Sequence, residues 1–200
     1  MFTGIVQGVG TVRAIEPRGG DVTLVFDTGN VSLAGIDLGG SIAVNGVCLT
    51  ATRFDTASFA ADVSRETLSL TTLGDRVVGT RVNLEKALLA GQALGGHYVT
   101  GHVDGVGRLL SRHDDGRSVR MEFQVPAELA RYVARKGSIC IDGVSLTVNG
   151  ATGDRFDVNL VPHTLAATTL GDLRVGSRVN LEIDIIARYV ERMMAQPGSG

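Results

Sequence analysis

Apolar residues recur at every second position in several short runs of the chain. Residues 22–26 have this pattern, and residues 59–63 and 156–161 form further apolar runs. A period of two is typical of strands with one buried face. The pairs Asn45-Gly46 and Asp142-Gly143 each separate two β-type runs and favour tight hairpin turns. Five or six short strands in about 90 residues, divided by glycine turns, predict a small antiparallel barrel.

The pattern occurs twice along the chain. Thr3–Gly10 (TGIVQGVG) returns as Thr100–Gly107 (TGHVDGVG), a separation of 97 residues, and Ser41–Thr50 returns as Ser138–Thr147 at the same separation. Roughly a third of the paired positions are identical, against roughly one in fifteen expected from ordinary compositions. This period is too long for a solenoid, so the chain is predicted to be a duplicated domain.

The duplication predicts one barrel at residues 1–90 and a second at residues 97–184. Two short helices are also predicted, at residues 30–38 with Asn30 as the N-cap and at residues 126–134 with proline at the start. They occupy equivalent positions in the two halves. The architecture is therefore predicted to be mainly β.

The end of the chain has no counterpart in the first half. Ile183, Ile186, Val190 and Met193 form one apolar stripe if residues 183–194 are helical. Such a helix could cover the open end of its own barrel, or it could pack against copies of itself. Three turns are too few for a free coiled coil, so the barrels would have to support the second arrangement. A C-terminal helix is predicted at residues 185–195, followed by a flexible tail at residues 196–200.

Composition argues against several classes of function. The formal net charge is -2, there is no basic stripe, and tryptophan is absent, which argues against nucleic acid as a partner. Apolar runs are shorter than the roughly 18 residues of a membrane span, and the first repeat begins without a signal segment. Cys48 and Cys140 lie at non-equivalent positions without metal-binding spacing. We therefore expect a reducing, cytoplasmic setting.

Polar side chains occupy the same positions in both halves. Cys48 and Thr50 share one face of their strand, and Ser145 and Thr147 share the equivalent face in the second half. Exposed polar positions on a half-buried strand would look the same, but their repetition favours a pair of ligand sites. The two halves differ chemically, since Ile5 corresponds to His102, Cys48 to Ser145, Asp62 to Asn159 and Glu66 to His163.

Other motifs carry less chemistry. His97 and His102 are five residues apart, which matches no common zinc pattern, and no metal is expected. His113 lies in an Asp-rich loop and is expected to be solvated. The glycines of residues 4–10 and 101–107 lack the preceding strand and following helix of a dinucleotide fingerprint. They are typical of tight turns or bulges.

Several blocks together resemble the riboflavin synthase alpha-chain family, and the resemblance covers about residues 1–194. The blocks are Met1–Val6, Asn45–Thr50, Gly95–His97, Gly101–Gly105, Asp142–Thr147 and Pro162–Thr164. The resemblance implies two six-stranded antiparallel Greek-key barrels, each binding one molecule of 6,7-dimethyl-8-ribityllumazine. It implies transfer of a four-carbon unit between the two lumazines, giving riboflavin and 5-amino-6-ribitylaminouracil without a cofactor. It also implies a homotrimer held by the C-terminal helix, an active site between the first barrel of one subunit and the second of the next, and lumazine synthase as a partner.

The resemblance also implies a set of site residues. In the first barrel the expected ligand contacts are Gly4, Ile5, Val6, Cys48, Leu49, Thr50, Asp62, Val63, Ser64, Arg65, Glu66 and Thr67. In the second they are Gly101, His102, Val103, Lys136, Ser145, Leu146, Thr147, Asn159, Leu160, Val161, Pro162, His163 and Thr164. His102, Cys48, Ser41 and Phe2 are expected to act in catalysis.

Two alternatives share the fold. A lumazine- or flavin-binding protein without catalysis, similar to bacterial bioluminescence antenna proteins, need not keep both polar sets, whereas this chain keeps both. A flavin-binding reductase barrel would require a nucleotide domain, which the sequence lacks.

Overall fold

The computed structural model describes residues 1–195, and the flexible tail predicted at residues 196–200 lies outside the described residues. Two closed six-stranded antiparallel barrels follow one another along the chain, which confirms the predicted fold. The first barrel comprises β1 (Gly8–Arg18), β2 (Asp21–Asp27), β3 (Ser41–Val44), β4 (Val47–Phe54), β5 (Ser58–Val63) and β6 (Arg81–Lys86). Helix α1 (Arg65–Leu70) lies between β5 and β6, and the strand order is β1-β2-β5-β4-β3-β6.

The second barrel repeats this order with equivalent strands. It comprises β7 (Gly105–Asp115), β8 (Ser118–Gln124), β9 (Ser138–Ile141), β10 (Val144–Thr152), β11 (Arg155–Leu160) and β12 (Arg178–Ile183). Helix α2 (Pro162–Ala167) precedes β12, and helix α3 (Ile185–Met194) follows it. Short 3-10 turns occupy Thr72–Asp75, Ala130–Tyr132 and Thr169–Asp172.

Each barrel encloses its own apolar core around a pair of phenylalanines. The rings of Phe26 and Phe59 lie 5.2 Å apart in the first barrel, and those of Phe123 and Phe156 lie 5.6 Å apart in the second. All four side chains are fully buried. Aromatic pairs at this spacing stabilise a core beyond their buried area, so the duplicated pattern produces two equivalent cores.

The two predicted hairpin turns meet back to back between the barrels. Asn45 and Asp142 both have a φ of 45°, and the following glycines also have positive φ, as a type I′ turn requires. The Asn83 amide donates to the Asp142 carbonyl over 2.8 Å, and the Asn180 amide donates to the Asn45 carbonyl over 2.9 Å. The barrels are therefore joined by reciprocal hydrogen bonds about an approximate twofold axis.

The first strand-like segment of each half crosses to the other barrel. These exchanged segments are residues 2–6 and 99–103. Phe2 and Val99 pair with each other between the barrels. Val6 packs against the core of the second barrel, and Val103 packs against the core of the first. Each barrel is thus completed by residues from the opposite half of the chain.

The two short helices predicted before β3 and β9 are wrong. Residues 30–38 form a series of turns, and only the 3-10 turn Ala130–Tyr132 forms within residues 126–134. Gly35, in the middle of the first of these segments, adopts a φ of +82°. A right-handed helix cannot contain this conformation, so local helix-forming residues do not decide the structure here.

Helix α3 confirms the predicted C-terminal helix and bears on the two arrangements considered for its apolar stripe. Asp184 caps it by accepting from the Ile186 backbone N–H over 3.0 Å. Ile183 belongs to β12 and is buried, whereas Ile186, Val190 and Met193 remain 49–78% exposed. The helix is attached to the second barrel by polar contacts of Arg188 with Asp104 and of Glu191 with Arg131 and Tyr132. Its apolar stripe does not cover its own barrel.

Within residues 1–195, no helix is both long and apolar enough to cross a lipid bilayer.

The carboxyl group of Asp142 gives a pH-dependent prediction. Burial raises its pKa from 3.8 to about 7, although the Asn180 N–H donates to it and Arg76 lies nearby. The folded state therefore keeps a proton that the unfolded chain has lost, and stability falls as pH rises from about 4 through 7. Asp142→Asn should be as stable as the wild type at pH 4 and about 3 kcal/mol more stable at pH 8. Urea unfolding across this range would measure the difference.

Asp114→Asn provides the control, because Asp114 is exposed. Its difference from the wild type should not change with pH. A constant difference for Asp142→Asn would show that Asp142 is ionised in the folded state throughout this range. Asn45 already accepts the equivalent backbone hydrogen bond in the first half, from the Asn83 N–H over 2.7 Å.

Candidate functional site

Two equivalent strands, β4 and β10, present the predicted polar positions. Val47 and Leu49 are buried in the first barrel, whereas Cys48 is half-buried and Thr50 is exposed. In β10, Val144 is buried, Ser145 is half-buried and Thr147 is exposed, as the alternation predicts, and Leu146 is only partly buried. Each barrel therefore has one polar strand edge available to a ligand.

The exchanged segments lie beside β4 and β10, each coming from the opposite half of the chain. The Cys48 N–H donates to the Gly101 carbonyl over 2.9 Å, and the Ser145 N–H donates to the Gly4 carbonyl over 2.7 Å. The structure thus places residues 4–6 against β10 of the second barrel and residues 101–103 against β4 of the first, whereas the predicted grouping had them the other way round. The exposed side chain of His102 follows the residue bonded to Cys48, and the exposed Ile5 follows the residue bonded to Ser145. His102 therefore lies beside β4 of the first barrel, and Ile5 lies beside β10 of the second.

Two buried glutamates outside the predicted site hold the exchanged segments. The Glu85 carboxylate accepts from the Thr3 backbone N–H and hydroxyl, both over 2.7 Å, and from the Gly4 N–H over 3.0 Å. Glu182 accepts the equivalent three bonds from Thr100 and Gly101 over 2.6–2.9 Å. Burial raises the pKa of both glutamates in spite of these bonds. The repeated sequence Arg-Val-Asn-Leu-Glu was the available signal.

The glycines of the exchanged segments permit this close approach. Gly4 and Gly101 have φ values of +74° and +80°. A Cβ at position 101 would lie 2.6 Å from the Cys48 Cβ, and one at position 4 would lie 2.6 Å from the Ser145 Cβ. Glycine is required here both by conformation and by space.

The expected ligand contacts at residues 62–67 lie around the start of α1 in the first barrel. The Thr23 hydroxyl donates to the Asp62 carboxylate over 2.6 Å, and the Ser64 hydroxyl caps α1 by accepting from the Thr67 N–H over 3.2 Å. Asp62, Ser64 and Glu66 remain exposed. In the second barrel, Asn159 and His163 are also exposed, and α2 begins at Pro162. Both barrels thus place exposed polar side chains on the strand before this helix and on its first turn.

Lys136 stands at a strained backbone position. Its φ is +68°, and it is exposed at the turn where the first half has Gly39 at +84°. Both residues donate the same backbone hydrogen bond, to Val148 and Ala51 respectively. A left-handed backbone conformation costs a non-glycine residue about 1 kcal/mol. Residues held in this conformation cluster at functional sites. The strain supports the expected ligand role of Lys136.

Phe2 and Ser41 occupy different environments. Phe2 is fully buried between the barrels with Ala43, Val99 and Cys140, so its predicted catalytic role cannot be direct contact with a ligand. Its ring lies against Gly101, and it supports that exchanged segment. Ser41 is half-buried and stands opposite Thr50 in the β3–β4 pair.

Burial raises the pKa of the Cys140 thiol well above its usual range.

No group of three or more His, Cys, Asp and Glu side chains within residues 1–195 is arranged to hold a metal ion.

Comparison with known proteins matches the two barrels to one family model. The lumazine binding domain matches residues 3–87 and again residues 100–184, so the chain is a tandem lumazine-binding-domain protein. It is 46% identical over 202 residues to riboflavin synthase of Mycobacterium tuberculosis, covering 99% of this chain and 100% of that protein. It is 44% identical to riboflavin synthase of Photobacterium phosphoreum, covering 97% of this chain and 89% of that protein. The chain belongs to the riboflavin synthase family.

A solved structure with the same fold contains a ligand. The crystal structure of LumP complexed with 6,7-dimethyl-8-(1'-D-ribityl) lumazine has a TM-score of 0.82 and 27% sequence identity, covering 92% of this chain and 99% of LumP.

Proposed function

We propose that this protein is a riboflavin synthase, which transfers a four-carbon unit between two molecules of 6,7-dimethyl-8-ribityllumazine. The products are riboflavin and 5-amino-6-ribitylaminouracil. The observation that carries the proposal is the presence of two complete, equivalent lumazine-binding domains in one chain, each with its polar strand edge. Joining two identical substrates requires two similar sites, and holding both substrates in register supplies much of the rate by proximity.

The reaction requires loss of a proton from the C7 methyl of one lumazine and attack on C6 of the other. The exposed His102 side chain is the general acid or base that carries this proton. Cys48 or a hydroxyl such as Ser41 can add transiently to C7. Thr50, Ser145 and Thr147 orient the pteridine rings, and Asp62 and Glu66 bind ribityl hydroxyls. Phe2 acts indirectly by supporting Gly101.

The proposal extends to a homotrimer assembled through α3. The exposed apolar stripe of this helix supports it, because contiguous exposed apolar surface is typical of an interface. Subunit contact would bring the first barrel of one subunit against the second barrel of the next and so complete the active site. The family resemblance adds a cytoplasmic location and lumazine synthase as a partner. Sedimentation of the full chain and of a chain ending at Asp184 would test the role of the helix.

The direct test is to incubate the protein with 6,7-dimethyl-8-ribityllumazine alone. Riboflavin absorbance should develop with no added cofactor, and 5-amino-6-ribitylaminouracil should form in equal amount. Tight binding of the lumazine without product would instead indicate a binding protein without catalysis.

Replacement of His102 tests the proton carrier. His102→Gln should lower kcat by about 10²-fold, because a general acid or base contributes at least this much. Steady-state kinetics with the lumazine would measure it. His113→Gln is the matched control, since His113 is exposed on β7, and it should leave kcat unchanged. Unchanged turnover of His102→Gln would exclude histidine as the principal proton carrier.

A further inference from the structure

His97 lies directly before Tyr98, the residue that the separation of 97 residues aligns with Met1. It is only 8% exposed. Its backbone N–H donates to the Thr3 carbonyl over 3.1 Å, and its Nδ1 lies 2.7 Å from the Ser145 Oγ. The second barrel's polar edge therefore has a fixed histidine behind its hydroxyl.

The surroundings hold the imidazole against Ser145. A Cβ on Gly96 would lie 2.0 Å from the Thr3 carbonyl oxygen and 2.9 Å from the Ser145 Cβ. Gly4 accepts from the Ser145 backbone N–H on the same side. The chain before and the segment beside His97 are thus both packed onto β10, and the ring has little freedom to turn away.

The environment of the second ring nitrogen selects the tautomer. Nε2 is buried and has no hydrogen-bond partner among the described residues. An orphaned buried N–H is rarer and more costly than an unfilled lone pair. The proton therefore lies on Nδ1, which donates to the Ser145 oxygen. Burial lowers the pKa of His97 against a smaller opposing effect of Asp184, and this favours a neutral ring.

We infer that His97 is a positioning residue that fixes Ser145 as a hydrogen-bond donor to the ligand of the second barrel. Because the serine oxygen accepts from Nδ1, its own proton is left to donate to a carbonyl oxygen or ring nitrogen of a bound pteridine. The first barrel has Cys48 at the position of Ser145. Cys48 packs against the buried cluster of Phe2, Ala43, Val99 and Cys140, and a thiol is only a weak hydrogen-bond donor. The inference rests on the proposed function and distinguishes its two sites.

A double-mutant cycle separates this role from a structural one. His97→Leu should lower kcat/KM for the lumazine about fivefold, the value of one net hydrogen bond. In a Ser145→Ala background the same change should cost less than about twofold. His97→Asn should restore kcat/KM to within about twofold, because its amide N–H can replace Nδ1–H. Equal losses in both backgrounds, or no rescue by asparagine, would overturn the inference.

Two measurements do not require turnover. Two-dimensional 15N NMR of the wild-type protein should show His97 as the Nδ1–H tautomer, and the Nε2–H tautomer would overturn the inference even if the leucine variant does not fold. Fluorescence titration with 6,7-dimethyl-8-ribityllumazine should show the weakened affinity of His97→Leu for one of the two sites. A wild-type protein that binds the lumazine with this tautomer but forms no riboflavin would contradict the proposed function alone.

Discussion

Alanine in place of Gly101 should lower riboflavin formation by at least about tenfold and the unfolding free energy by about 3 kcal/mol. The positive φ of Gly101 costs a side chain about 1 kcal/mol. The new methyl group would also lie 2.6 Å from the Cys48 Cβ and 2.9 Å from its nitrogen. The segment would have to separate from β4, and His102 would move with it. Urea unfolding and steady-state kinetics would measure the two losses.

Gly19→Ala is the matched control for this prediction. Gly19 also has a positive φ, of 63°, but a Cβ there meets nothing within 4 Å. It should lose only about 1 kcal/mol and keep full activity. Similar losses in both variants would show that backbone conformation alone, and not contact with Cys48, makes Gly101 necessary.

Glu182→Gln is the second change expected to have a large effect. A glutamine oxygen can replace one carboxylate oxygen, but its amide group would then turn a donor toward an N–H of Thr100 or Gly101. Loss of charge-assisted bonds costs about 2 kcal/mol even after the desolvation of the buried charge is relieved. Because Glu182 holds the segment that carries His102, activity should fall at least about tenfold. Thermal unfolding and kcat would measure the effect.

Glu128→Gln serves as the control, since Glu128 is exposed and surface changes of this kind stay within about 0.5 kcal/mol. Glu85→Gln is the mirror variant, and it should disturb the Ser145 side through Gly4. Full activity of Glu182→Gln would mean that neither the charge nor the third hydrogen bond is needed to place His102.

The strands and turns were predictable because they depend on local pattern. Alternation marks the buried face of a strand, and Asn-Gly and Asp-Gly pairs favour the φ values that Asn45 and Asp142 adopt. The short helices were also predicted from local sequence, and that prediction was wrong because nothing in residues 30–38 showed that Gly35 would take a left-handed conformation. Tertiary structure overrides weak helix propensity in segments this short.

The exchange of segments could not be predicted from either copy alone. The pattern of residues 2–6 shows which side chains are apolar, but it does not show which barrel they complete. Val6 and Val103 occupy equivalent positions, so the repeat does not show which barrel either residue completes. Glu85 and Glu182 were visible as a repeated residue, yet their role depends on the three donors that only the fold brings to each carboxylate.

The exchange of segments between the barrels also bears on how the chain can evolve. In a homodimer of a single barrel with the same exchange, symmetry would give both sites identical residues. A fused chain keeps the two barrels at a fixed high effective concentration and removes that constraint. Each half can then mutate a residue that serves only the other half's pocket, as at Ile5 and His102. Covalent fusion thus permits one pocket to specialise without a matching change in its twin.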